Sequence, residues 1–174
     1  MMRFLLLLTL LAASCQRVRP GAPAAPATTV YVVRHAEKDL TPGLPDPPLT
    51  PAGQQRAEAL RDTLAPRRIA AVFTTNTART RATAAPLASA RGLTPEAYDA
   101  RQLPALARRI RRQHAGHAVL VVGHSNTILE TVEALGAARP VPALTDADYN
   151  YLLVVSVPRD STQPATAVAR RVGR

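Results

Sequence analysis

Val30-Tyr31-Val32-Val33-Arg34-His35-Ala36-Glu37-Lys38 runs from four strand-forming residues straight into an arginine and a histidine. β-Branched and aromatic side chains suit a pleated, buried surface, so Thr29 to Val33 predicts a strand. In an open α/β sheet the ligand crevice lies at the carboxyl ends of the strands. Arg34 and His35 are therefore placed where a ligand would be held. A neutral imidazole nitrogen is a competent nucleophile near neutral pH. A guanidinium beside it offers two donors at once to a phosphoryl group.

Working outward from this stretch, the chain alternates between strand and helix patterns. The loop from Ala36 to Thr50 holds Pro42, Pro45, Pro47 and Pro48, which exclude regular structure. A long irregular loop directly after Arg34-His35 is a natural place for substrate contacts. Thr50 and Pro51 read as the N-cap and first turn of a helix. Its apolar positions Ala57, Leu60 and Leu64 keep helical spacing, and Pro66 ends it. Ile69 to Thr74 predicts the second strand. Thr75, Asn76 and Thr77 read as caps for a helix that begins near Ala78 and closes at Gly92. That puts Arg79 in the first turn, where a cation opposes the helix dipole and a bound anion would resolve the conflict.

Thr94 to Tyr98 predicts a short edge strand, followed by Asp99. Leu103 to His114 predicts an amphipathic helix with Leu103, Leu106, Ala107 and Ile110 on one stripe and arginines outward. His117 to Gly123 is the most apolar strand and hence central. It leads into His124 at the start of a helix, with Ser125 or Asn126 as its cap and Gly136 at its end. Tyr151 to Val157 and Ala165 to Val172 predict two last, mutually paired strands. The alternation predicts an α/β fold, a three-layer α/β/α sandwich with a mainly parallel central sheet.

Three strand ends now carry groups suited to phosphate: Arg34 with His35, Arg79, and His124. Here the chain resembles the histidine phosphatase superfamily, also called phosphoglycerate mutase-like. Val33-Arg34-His35-Ala36-Glu37 resembles its Arg-His-Gly-Glu motif, with Ala36 in place of the usual glycine. Asp46 to Gly53 is similar to its Pro-Leu-Thr-x-x-Gly helix start. Thr74 to Pro86 resembles its second-arginine segment through Arg79 and Thr83-Ala84. Val121 to Asn126 resembles its second-histidine segment. The resemblance spans residues 29 to 157 and implies that His35 is the nucleophile that becomes phosphorylated. It implies that Arg34, Arg79 and His124 hold the phosphoryl oxygens, and that neither a metal nor another cofactor is required. Phosphoryl transfer depends chiefly on positioning and charge neutralisation, which these groups supply.

The family's proton donor has no direct counterpart. One branch carries a glutamate in an insertion after the third strand, which is missing here. Another places an aspartate directly after the second histidine, where this chain has Ser125. Asp99, at the end of the short strand, is the nearest positional candidate. Glu37 is the alternative acid, or else an ion-pair partner that orients Arg34 or Arg79, and Asp46 is a third option.

The first 15 residues read as a signal rather than as fold. Met1-Met2-Arg3 is followed by an apolar run from Phe4 to Ala13, too short to span a bilayer as a helix and suited to export. Leu11-Ala12-Ala13-Ser14-Cys15 resembles a bacterial lipoprotein box, with Leu11 one place earlier than the usual leucine. Cys15 is the only cysteine, which excludes an intrachain disulfide. The alternative is an ordinary cleaved signal cut within the alanine-rich stretch from Ala22 to Ala27. Residues 16–28 are rich in Pro and Ala and predict a semi-rigid linker; residues 29–174 form the domain.

The 174-residue chain carries a formal net charge of +10, nearly all from arginine, with Lys38 the sole lysine. Such a balance favours anionic partners. An aromatic fraction of 3% argues against nucleic acid, whose single strands need stacking platforms. The expectation is an exported phosphatase on the periplasmic or cell-envelope side. It would hydrolyse small phosphomonoesters through a phosphohistidine and be held to a membrane by lipid on Cys15. A phosphohistidine protein phosphatase and a non-catalytic anion-binding lipoprotein are the alternatives.

Overall fold

The first strand, β1 (Thr28–Arg34), is the spine of the computed structural model, which describes residues 26–172. The expected signal, Cys15 and most of the linker lie outside the described residues. β1 has its side chains buried on both faces because it runs beside β4 (Ala118–Gly123) and β5 (Tyr151–Val157) in mid-sheet. β2 (Ile69–Thr74) and the two-residue β3 (Glu96–Ala97) extend the sheet on one side, and β6 (Thr166–Arg171) ends it on the other. The strand order is β3-β2-β4-β1-β5-β6.

The first four strands in that order are parallel, while β5 is antiparallel to both β1 and β6. The sheet is thus mixed, with its parallel part on the side of the two phosphate-motif strands β2 and β4. The antiparallel β5 brings its first residues to the carboxyl end of β1, since Val33 lies opposite Leu152.

Helices cover both faces. Successive β1 side chains alternate, so Val30 and Val32 face one layer while Tyr31 and Val33 face the other. The first layer holds Leu106 and Ile110 of α3 (Leu103–Gln113) and Ile128 and Val132 of α4 (Ile128–Ala134). The second holds Leu60 and Leu64 of α1 (Pro51–Leu64) with Ala84 and Leu87 of α2 (Ala78–Arg91). Each leucine or isoleucine buried this fully contributes about 1.5–3 kcal/mol. The fold is the expected three-layer α/β/α sandwich.

Helix ends follow the sequence in part. Thr50 caps α1, its hydroxyl accepting from the Gly53 amide at 3.1 Å, and Gly92 ends α2 in the left-handed conformation. The cap of α4 differs from expectation: Thr127, not Ser125 or Asn126, precedes its first residue. The Thr127 hydroxyl accepts from the His124 amide at 3.0 Å and so closes a tight turn between β4 and α4. Gly123 lets this turn form, because a Cβ there would lie 2.9 Å from the Tyr98 hydroxyl and 3.0 Å from Thr127 Oγ1. No helix among the described residues is long and apolar enough to cross a membrane.

Candidate active site

A cavity of about 560 Å³ opens at the carboxyl ends of β1, β2 and β4. Arg34 and His35 form its floor, 5% and 4% exposed, and Arg79 and His124 line it from the starts of α2 and α4. Three separate stretches of sequence are thus brought together. The His35 and His124 rings meet edge to face at 5.5 Å between centroids.

The His35 ring has one proton arrangement available. Nδ1 lies 2.8 Å from the Ala36 carbonyl, which can only accept, so Nδ1 carries the hydrogen. Nε2 is left with its lone pair. Burial pulls the His35 pKa down from 6.5 to about 4, against the upward pull of the Ala36 hydrogen bond, and the charges of Arg34, Arg79 and His124 act the same way as burial. The ring is therefore neutral at pH 7. Ala36 is fully buried and adopts an ordinary backbone conformation. Its amide donates to the Thr83 hydroxyl at 2.9 Å, and that hydroxyl donates to the Arg79 carbonyl at 2.7 Å. This link ties the end of β1 to the first turn of α2.

Two guanidinium nitrogens of the lining residues are unpaired among the described residues. The Nε atoms of Arg34 and Arg79 are buried and have no hydrogen-bond partner among the described residues. A buried, unpaired guanidinium donor is costly unless a ligand meets it. The rest of Arg34 is held firmly: Nη1 donates to the carbonyls of Thr145 and Asp146 at 3.1 and 3.0 Å, and the guanidinium stacks on Tyr149 at 4.1 Å.

His124 is fixed by threonines rather than by a carboxylate. Its Nε2 lies 2.9 Å from Thr75 Oγ1, which lies 3.0 Å from Thr80 Oγ1. The Thr80 hydroxyl spends its single hydrogen on the Thr75 or Thr77 carbonyl. The Thr75 hydroxyl must then donate to Thr80 and accept from His124 Nε2–H. Burial, then the charges of Arg79, Arg34 and Lys38, lower the His124 pKa to about 4. With Nε2 engaged, Nδ1 can donate to an anion only from the doubly protonated ring, a form that the anion's own charge favours. Thr75 thus orients a histidine, whereas its sequence position suggests a cap. Thr77, at the N-cap of α2, makes no side-chain cap bond either.

The expected acids are placed elsewhere. Glu37 is gripped by the guanidinium of Arg56, with Nη2 at 2.6 Å and Nε at 2.9 and 3.0 Å, and does not line the cavity. Although burial opposes it, the hydrogen bond from Arg56 lowers the Glu37 pKa. It therefore neither donates a proton there nor pairs with Arg34 or Arg79. Asp99 is tied to Arg101 at 2.9 to 3.1 Å and held below the usual carboxylate range by that bond. It borders a neighbouring open groove that shares His124 with the cavity, not the cavity of His35 itself. Asp46 accepts from the Ala78 amide at 2.8 and 3.0 Å and approaches Arg79 Nη1 at 3.5 Å. The chain's own carboxylate therefore occupies the start of α2, where a free anion was expected.

Several lining residues carry no sequence motif: Lys38, Asp146 and Tyr149 stand at the mouth with Ser125 and Asn126. Lys38 had one signal, as the only lysine of an arginine-rich chain, three residues after His35. His114 is half-buried against the Phe73 ring at 5.5 Å, while His117 is exposed. No cluster of three or more metal-ligating side chains exists among the described residues.

Residues 30–100 match the model of the histidine phosphatase superfamily (branch 1). That segment carries the superfamily's pattern from β1 to the end of β3. The chain's solved structural relatives agree in fold. The protein histidine phosphatase SixA bound to tungstate is 16% identical over 83% of this chain and 95% of that one, with a TM-score of 0.62. A Nakamurella multipartitia protein bearing the name SixA is 26% identical over 87% of this chain and 98% of that one, with a TM-score of 0.61. The mycobacterial glucosyl-3-phosphoglycerate phosphatase Rv2419c is 14% identical over 83% and 98%, with a TM-score of 0.62. No curated protein matches the chain. The histidine phosphatase match ends at residue 100, so His124 stands on the geometry above.

Proposed function

We propose that the protein is an exported phosphomonoesterase that passes a phosphoryl group through His35 Nε2 to water. The observation that carries this reading is the convergence of Arg34, Arg79 and His124 in one cavity around a neutral imidazole whose other nitrogen is tied. In the first step His35 Nε2 attacks phosphorus and the ester oxygen leaves. Arg34, Arg79 and the doubly protonated His124 bear the charge on the equatorial oxygens. In the second step water attacks the phosphohistidine, and the N–P electron pair returns to Nε2. No residue in either step is a metal ligand.

The test uses the full chain with 4-nitrophenyl phosphate and a panel of phosphorylated metabolites. His35→Ala should lower turnover by at least about 10³-fold while leaving the thermal unfolding transition in place. Brief incubation of wild type with substrate should leave acid-labile phosphate on the protein. Turnover by His35→Ala at the wild-type rate would refute the assignment. Phosphate binding without turnover would instead favour the anion-binding alternative.

The second reading, a phosphohistidine protein phosphatase, is supported by the open mouth of the cavity, where Leu40 is 75% exposed. Hydrolysis of a phosphorylated histidine protein in preference to every small ester in the panel would select it. The anchoring proposal rests on Cys15 following an apolar run. Its check is fractionation of cells that express Cys15→Ser, which should move the protein from the membrane to the soluble fraction.

A further inference from the structure

We infer that Asp146 is the catalytic proton donor of this phosphatase, an inference that rests on the phosphohistidine reading above. Asp146 is the one carboxylate that lines the cavity of His35, among the described residues. The nearby acids are already spent: Glu37 on Arg56, Asp46 on the Ala78 amide, Asp99 on Arg101, and Asp148 on the Thr145 amide and hydroxyl at 2.8 and 2.7 Å. Among the described residues Asp146 makes no side-chain hydrogen bond. Its Oδ1 stands 3.6 Å from Arg34 Nη2, and the side chain is 96% exposed at the mouth.

Direction follows from burial. His35 lies on the floor, 4% exposed, so it attacks phosphorus from inside. In-line displacement drives the leaving oxygen the opposite way, outward to the mouth where the Asp146 carboxyl stands. The backbone there is braced, since the Thr145 and Asp146 carbonyls both accept from Arg34, the arginine that would hold the phosphoryl group. The same residue segment thus couples phosphoryl position to acid position.

The proton ledger closes over one cycle. As the P–O ester bond breaks and the Nε2–P bond forms, the carboxyl proton passes to the leaving alkoxide, which departs as an alcohol. The carboxylate then takes a proton from the water that attacks the phosphohistidine. The N–P pair returns to the imidazole, and the enzyme regains its starting state. This is the acid-then-base use of a single group.

The experiment compares wild type, Asp146→Asn and Asp99→Asn on an alkyl phosphate and on 4-nitrophenyl phosphate, whose leaving group is already stable as an anion. Asp146→Asn should lower kcat/KM for the alkyl ester by about 10²–10⁴-fold and for the aryl ester by less than about 10-fold. Asp99→Asn should change neither by more than about 3-fold, since its carboxylate is tied to Arg101 outside the cavity. A carboxylate that merely tuned the field of Arg34 would shift both substrates alike, so equal losses overturn the assignment. Equal rates for Asp146→Asn and wild type overturn it as well. Failure of the underlying reading looks different: there, wild type hydrolyses neither ester, or His35→Ala hydrolyses both.

Discussion

Acidifying the protein from pH 7 to pH 5 tests the central electrostatic feature of the site. An ordinary imidazole with a pKa of 6.5 is only about 3% neutral at pH 5, whereas His35 at about 4 is roughly 90% neutral there. The cavity therefore preserves about 30 times more of the nucleophilic form than a solvent-exposed histidine would keep. The sign is fixed by burial, reinforced by Arg34 and Arg79, all of which disfavour the imidazolium. The assay is a proton–carbon NMR titration of the four histidine rings in the free protein, with His35→Ala and His124→Ala used for assignment. Two rings should titrate near 4. The group's contribution to kcat/KM, which reports the free enzyme, should fall less than about 2-fold between pH 7 and pH 5. Stability follows the same linkage. Below pH 6.5 the unfolded chain binds protons at these two positions while the folded chain does not until about 4, so stability falls as pH drops through that window. A His35 midpoint at or above 6 would refute the argument.

Gly53→Ala should destabilise the fold by about 1–3 kcal/mol in a denaturant titration, because the new Cβ would lie 2.2 Å from the Glu37 carbonyl oxygen. Arg56→Ala should also cost about 1–3 kcal/mol in that titration, since it strips a partly buried Glu37 carboxylate of its charged hydrogen bonds. Glu37→Gln should leave the ratio of alkyl to aryl phosphate turnover unchanged, as befits a group spent on Arg56.

Arg34, His35 and His124 were legible because each stands at the end of a strand pattern, and Arg79 because it opens the helix after one. A parallel sheet delivers the ends of its strands to one edge whatever their lateral order. Asp99 lies outside the cavity for a lateral reason. It also follows a strand, but β3 lies three places from β1 in the sheet, about 14 Å at ordinary strand spacing. Asp146 and Tyr149 were invisible for the complementary reason. They precede a strand, and an alternating pattern does not reveal that β5 turns antiparallel against β1. That single reversal carries the segment before Tyr151 to the carboxyl end of β1. The threonine relay behind His124 was hidden likewise, since Thr75 and His124 are 49 positions apart and meet only because β2 neighbours β4. Threonines at a helix start are ordinarily read as local caps, and here one of them serves a distant ring.

The polarity of β1 has a mechanical consequence. Thr28 begins the strand opposite Val157, and Arg34 ends it in the cavity floor, about 20 Å away along the strand. Any hold on the protein exerted through the residues before Thr28 therefore grips the domain by its base. The mouth with Lys38, Leu40 and Asp146 is then carried on the far side, like the open end of a cup fixed by its foot. A surface that retained the chain by that foot would not screen the mouth, and bulky phosphorylated molecules would keep a clear approach.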